Sequence, residues 1–231
     1  MKPALLSVEY AGARFDVVCV PLAKASVRVY WKDPEGKAFG SLEALAAALP
    51  EPAIAVTNAG IFEPGQVPTG LLISGGQTLH ALNVDAGEGN FYLAPNGVFF
   101  VGSDGAAVME TSAFARRGDS DVRDATQSGP LLVAGGTIHR QFARRSTNTA
   151  IRSGVGVRGP HEVWLAISRS EVNLWTFAAL FRDRLGCEDA LYLDGAISEL
   201  ITPSLGRAPP TTPPDPTTHV FSGMLAVEPR R

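Results

Sequence analysis

A chain of 231 residues, 45% hydrophobic and 19% charged, has ample core-forming material for one large domain or two small ones. Its formal net charge of −3 argues against a nucleic-acid partner, and no window reaches the roughly 18 consecutive apolar residues of a membrane span. Two cysteines, Cys19 and Cys187, are too few for a disulfide scaffold or a cysteine-only metal site; apolar neighbours mark them as buried thiols, with a single disulfide as the alternative.

Residues 4 to 31 read as a β-hairpin or meander, with β-rich runs at 15–20 and 26–31. Asp33-Pro34-Glu35-Gly36 is a turn, and Ser41 caps a short helix over 42–49 that Pro50 follows. Residues 53–58 form a compact apolar strand ending in Asn58-Ala59-Gly60, where small residues allow close backbone approach. Asn96-Gly97, between aromatic and β-branched runs, predicts a tight type I′ hairpin, and Ser103-Asp104-Gly105 a further turn. The charged stretch 116–126 predicts a surface loop or a short exposed helix. Gln127-Ser128-Gly129-Pro130 then bends into a buried strand.

Arg152 opens a glycine-laced strand, and 163–167 is another apolar strand. Asn173 caps the best helix, 174–185, with Gly186 just past its end. That helix feeds the run Ala190-Leu-Tyr-Leu-Asp194-Gly195, a buried strand stopping at a turn. Six prolines between 203 and 218 predict an extended loop or lid, and 219–227 a closing strand. The fold class expected is α+β: a single β-rich domain over 1–231, with a mixed, largely antiparallel twisted sheet and a few flanking helices.

One pattern recurs in four segments: a polar group beside small residues where an apolar strand begins or ends. These groups are Asn58 and Glu63, then Gln127 and Ser128, then Arg152, then Asp194, Ser198 and Glu199. Each alone is ordinary turn chemistry. Together they are the ingredients of a site that recognises an anion and moves protons, with a guanidinium for phosphate or carboxylate and a carboxylate pair for acid, base or nucleophile duties. Other templates fail. The four histidines lack metal-ligand spacing, Gly87-Glu88-Gly89-Asn90 opens no helix, and neither a P-loop nor a nucleophile elbow is present.

Seven ordered motifs carry a resemblance: Asn-Ala-Gly-Ile-Phe at 58–62, Pro-Thr-Gly-Leu at 68–71, Gly-Asn-Phe-Tyr at 89–92, Pro-Asn-Gly-Val-Phe at 95–99, Gln-Ser-Gly-Pro at 127–130, Arg-Ser-Gly-Val-Gly at 152–156 and Leu-Tyr-Leu-Asp-Gly-Ala-Ile-Ser at 191–198. They are similar to the phosphodiester glycosidase family, in particular its YigE-like bacterial branch, over residues 54–227. The departure is Ala59, where that family more often carries glycine. The resemblance implies hydrolysis of the C1–O bond of a sugar-1-phosphodiester, of N-acetylglucosamine type or in a cell-envelope glycan, giving free sugar and a phosphomonoester.

Under that reading Asp194, Glu199 and Arg152 are the expected catalytic residues, and Asn58, Gly60, Glu63, Thr69, Gln127, Ser128 and Ser198 the expected substrate-binding ones. No metal site is assigned. A divalent cation stays open, with Glu63 as a carboxylate that could serve it. The expected partner is a small-molecule or glycan phosphodiester. The resemblance also implies a periplasmic or extracellular location, although Glu9 breaks any apolar leader at the start. The rival class is a non-catalytic envelope module that binds phosphate-bearing glycans.

Overall fold

The computed structural model describes residues 2–195, 197–205 and 220–230. The pattern of its strands is set by burial on two sides. In Ala13–Pro21, Val18 and Val20 face a central core while Val17 and Cys19 face the opposite way. A continuous apolar run is what a strand covered on both faces requires. The same alternation splits Phe99 and Val101 from Val98 and Phe100, and Leu225 and Val227 from Met224 and Ala226.

Three antiparallel sheets share that core. The largest runs Ala4–Tyr10, Ala13–Pro21, Glu162–Ser168, Ser153–Val157, Asp189–Tyr192, Leu131–Ala134 and Thr137–Ile138. The second runs Gly105–Glu110, Gly97–Gly102, Val122–Ser128, Leu72–Ser74 and Gln77–His80. The third runs Leu200–Ile201, Ala55–Asn58, Met224–Pro229 and Ala25–Tyr30. A small flap pairs Phe62–Glu63 with Val67–Pro68. Each sheet has one helix against its outer face: Leu174–Ala179 brings Phe177 to the first, Thr111–Arg117 brings Phe114 to the second, and Leu42–Ala48 brings Leu42 and Leu45 to the third. The β-rich α+β expectation holds, with every pairing among these strands antiparallel.

The caps are as the sequence predicts: Ser41 Oγ accepts from Ala44 N at 3.1 Å and Asn173 Oδ1 from Thr176 N at 2.8 Å. Cys19 and Cys187 are buried and are not joined in a disulfide, and burial pushes Cys187 up to about 12.

Three expectations need correction. Asn96-Gly97 makes no hairpin. Gly97 begins a strand where a side chain would meet Leu131 and the Met109 carbonyl, so its glycine serves close packing rather than a turn. The chain reverses instead at 103–104, with Gly105 at φ +120°. Residues 122–128 are a strand and not a surface loop, because Asp124, Ala125 and Thr126 are buried between neighbouring strands. The third N-terminal strand, Ala25–Tyr30, leaves the hairpin and pairs with Met224–Pro229 in another sheet. The proline-rich lid expected at 203–218 lies largely outside the described residues, as does His219 of the closing strand.

Candidate active site

Strand ends bring the four polar segments together. Asn58 closes Ala55–Asn58, Ser128 closes Val122–Ser128, Ser153 opens Ser153–Val157, and Tyr192 closes Asp189–Tyr192 two residues before Asp194. Three of these segments meet at the backbone of Asp194, and the Val122–Ser128 strand reaches them through the Gly60 and Ile61 N–H groups. The Asp194 N–H donates to Ala59 O at 3.2 Å. Its carbonyl accepts from Asn58 Nδ2 at 3.1 Å, Ser198 Oγ at 3.0 Å and Ser153 Oγ at 3.4 Å. Asn58 Oδ1 also accepts from Glu199 N at 3.1 Å, so one carboxamide spans the whole turn from 194 to 199. The residue expected to do the chemistry therefore has a backbone fixed by three other parts of the chain.

Beneath this turn lies Arg152, only 2% exposed. Its Nη1 donates to Tyr192 Oη at 2.8 Å, Nε to Val172 O at 2.6 Å, and Nη2 to Asn148 O at 3.1 Å and Asn148 Oδ1 at 3.4 Å. Four of its five N–H groups are thus committed to protein acceptors. The expectation that its planar fork grips a phosphate is corrected accordingly: Arg152 is a buried positive charge whose donors are taken up by the protein. No described carboxylate forms an ion pair with it. Tyr192 links it to the turn. Burial pushes the Tyr192 phenol up; the Arg152 guanidinium opposes that shift and the charge of Asp194 adds to it. The phenol oxygen lies so close to Gly195 that any side chain there would collide with it, which explains the Asp-Gly pair.

Gln127 is corrected as a substrate ligand. Its Oε1 accepts from Leu71 N and Asn83 N, each at 2.9 Å, while Nε2 donates to Asn83 O at 2.6 Å and Thr111 Oγ1 at 3.3 Å. Every hydrogen-bonding position of the amide is used, so Gln127 ties the loops at 71 and 83 together. Asn58 and Ser128, 1% and 0% exposed, are framework too, and Ser128 Oγ accepts from Ile61 N at 3.4 Å. Gly60 donates its N–H to Thr126 Oγ1 at 3.1 Å and must be glycine, since a Cβ there would strike the Gln127 carbonyl.

Glu63 sits exposed on the small flap and accepts from Thr69 Oγ1 at 3.3 Å. Among the described residues no three His, Cys, Asp or Glu side chains gather as a metal site.

The two expected catalytic carboxylates have different surroundings. Asp194 is felt at Tyr192, whereas Glu199 is pushed up to about 7 by burial and by the charge of Glu43, at the start of the 42–48 helix. Glu199 can therefore hold or release a proton near neutrality. A hollow of about 760 Å³, walled by Leu22, Asp104, Asp121, Arg123 and His161, lies at the other ends of these strands and contains none of these groups.

The architecture has close counterparts. A phosphodiester glycosidase family model matches residues 51–212. The uncharacterized protein YigE of Escherichia coli K12 is 35% identical over 176 residues, covering 75% of this chain and 68% of its own. The chain belongs to the phosphodiester glycosidase family. Its fold is similar to the catalytic domain of zebrafish N-acetylglucosamine-1-phosphodiester α-N-acetylglucosaminidase, auto-inhibited by its pro-peptide, at TM-score 0.68 and 17% identity over 99% of this chain and 83% of that one. A hypothetical protein from Synechocystis matches at TM-score 0.58 and 18% identity, over 99% and 62%.

Every candidate from Asn58 to Glu199 falls within the glycosidase segment. Sequence reasoning missed Tyr192 and Ser153 as parts of the site. A usable signal was present for Tyr192: a spacing of two in extended chain puts it on the same side as Asp194.

Proposed function

We propose that this family member hydrolyses the C1–O bond of a sugar-1-phosphodiester, of N-acetylglucosamine type or within a cell-envelope glycan, and acts outside the cytoplasm. Water adds across the bond: the sugar leaves with a hydroxyl at C1, and phosphate leaves as a monoester still joined to its aglycone. Asp194 supplies the negative charge that an oxocarbenium-like transition state needs. Arg152 supplies a positive field that favours the departing phosphate, which is already acidic and needs charge stabilisation more than a proton. Glu199 is the second carboxyl, with a proton affinity suited to exchange near neutral pH.

The observation that carries this reading is the fourfold hydrogen bonding of the Asp194 backbone. A carboxylate carried on so rigid a turn meets the demand for preorganised charge. The test is turnover of methyl N-acetylglucosamine-1-phosphate in oxygen-18 water. Label on C1 of the sugar supports the reading, and label on phosphate replaces it with P–O cleavage. Titration that shows binding without product would leave only a glycan-binding module.

A further inference from the structure

The loop from His139 to Thr149, His-Arg-Gln-Phe-Ala-Arg-Arg-Ser-Thr-Asn-Thr, carries three arginines and no acidic residue in a chain of net charge −3. It is pinned against the candidate site at both ends. At its start His139 Nε2 contacts Ala94 O at 3.0 Å, and the ring stacks on Phe142 with centroids 4.6 Å apart. The 90–95 segment on which His139 leans abuts Gly129, next to Ser128, and Pro95 O accepts from Leu131 N at 2.9 Å. At its end Asn148 O accepts from Arg152 itself at 3.1 Å. Between these pins Asn173 Nδ2 donates to Arg144 O and Ser146 O, each at 3.1 Å. The loop is a fixed rim beside the site.

Its charges are unequally answered. Arg144 lies over the Trp175 ring at 4.4 Å, and its field reaches Asp183. Glu171 accepts from the Thr149 hydroxyl at 3.0 Å. Arg140 and Arg145 are exposed, and neither has an ion-pair partner among the described residues. Two exposed guanidinium groups without an ion pair thus sit on an ordered loop whose end is hydrogen-bonded to the buried Arg152, and they add positive charge to its surface.

Resting on the hydrolase reading above, we propose that Arg140 and Arg145 form an aglycone subsite for a second anionic group, a phosphate or a carboxylate. The substrate class is then a sugar phosphodiester whose leaving side carries further negative charge.

The test compares kcat/KM for N-acetylglucosamine-1-phosphodiesters with a methyl, a carboxylate-bearing and a phosphate-bearing aglycone. The wild type should favour the anionic aglycones by about tenfold at low salt and lose the preference near about 0.5 M salt. The double variant Arg140→Gln/Arg145→Gln should bring the ratio close to one, while Arg184→Gln, an exposed arginine at the end of the helical turn Leu180–Arg184 that follows Leu174–Ala179, should keep it. The ratio between carboxylate and phosphate arms tells which group is preferred. No discrimination by the wild type, preference retained in the double variant, or preference lost equally in Arg184→Gln would overturn the proposal. Calorimetric titration with non-cleavable phosphonate analogues of the same three ligands repeats the comparison without chemistry. If nothing is turned over but the ranking holds in binding, the hydrolase reading fails and the subsite stands.

Discussion

Two buried charges in this molecule are handled in opposite ways. Asp124, fully buried, is answered twice: Arg28 Nε lies 2.9 Å and Arg123 Nε 2.8 Å from its Oδ2, and Val29 N donates to Oδ1 at 3.0 Å. Arg152 is buried to a similar degree, yet its partners are a phenol and neutral carbonyls and carboxamide, with no described carboxylate in an ion pair. A paired charge joins two strands and cancels its own field. A charge solvated by neutral dipoles keeps its field, and that field is available to a ligand.

Substitutions can break the contrast. Asp194→Asn should lower kcat/KM on a sugar phosphodiester by about 10³ or more, roughly 4 kcal/mol of transition-state stabilisation, and leave the urea midpoint nearly unchanged. Asp124→Asn should do the reverse. It should cost about 3–5 kcal/mol of unfolding free energy, because two arginines lose their counter-charge, with activity per folded molecule retained. If Asp124→Asn cripples turnover in the folded fraction, the division between paired and unpaired charge is wrong.

Tyr192→Phe sharpens the comparison. It deprives Arg152 Nη1 of its acceptor and should cost about 1–2 kcal/mol of stability. Because the phenol positions Arg152 and the 194–195 turn, kcat should fall about tenfold with KM little changed. A loss confined to KM would point instead to direct substrate contact.

The last effect concerns pH. Burial raises Glu199 to about 7 from an ordinary value near 4.5, so between those values the folded protein holds a proton that the unfolded chain has released. Stability from this group is present below about pH 4.5 and is lost as pH rises through about 7, an effect on the order of 1–3 kcal/mol. Glu199→Gln should remove that slope in denaturant titrations between pH 5 and 8.

Much of the fold was legible because its causes are local. Asn173 and Ser41 mark helix starts by the hydrogen bonds their side chains make, and runs such as Val17 to Val20 are apolar because both faces are covered. Asn96-Gly97 misled for the opposite reason. The glycine answers to Leu131 and Met109, distant in sequence, and turn chemistry cannot reveal a neighbour of that kind.

The same boundary divides the site. Motif order determined to which family the chain belongs, and polar groups at strand ends with small flanking residues are written in the sequence. What each polar group does there was decided only by tertiary structure. Gln127, Asn58 and four of the five Arg152 N–H groups are consumed by backbone and side-chain partners within the protein, and the occupancy of a hydrogen bond depends on positions in space that no spacing along the chain encodes.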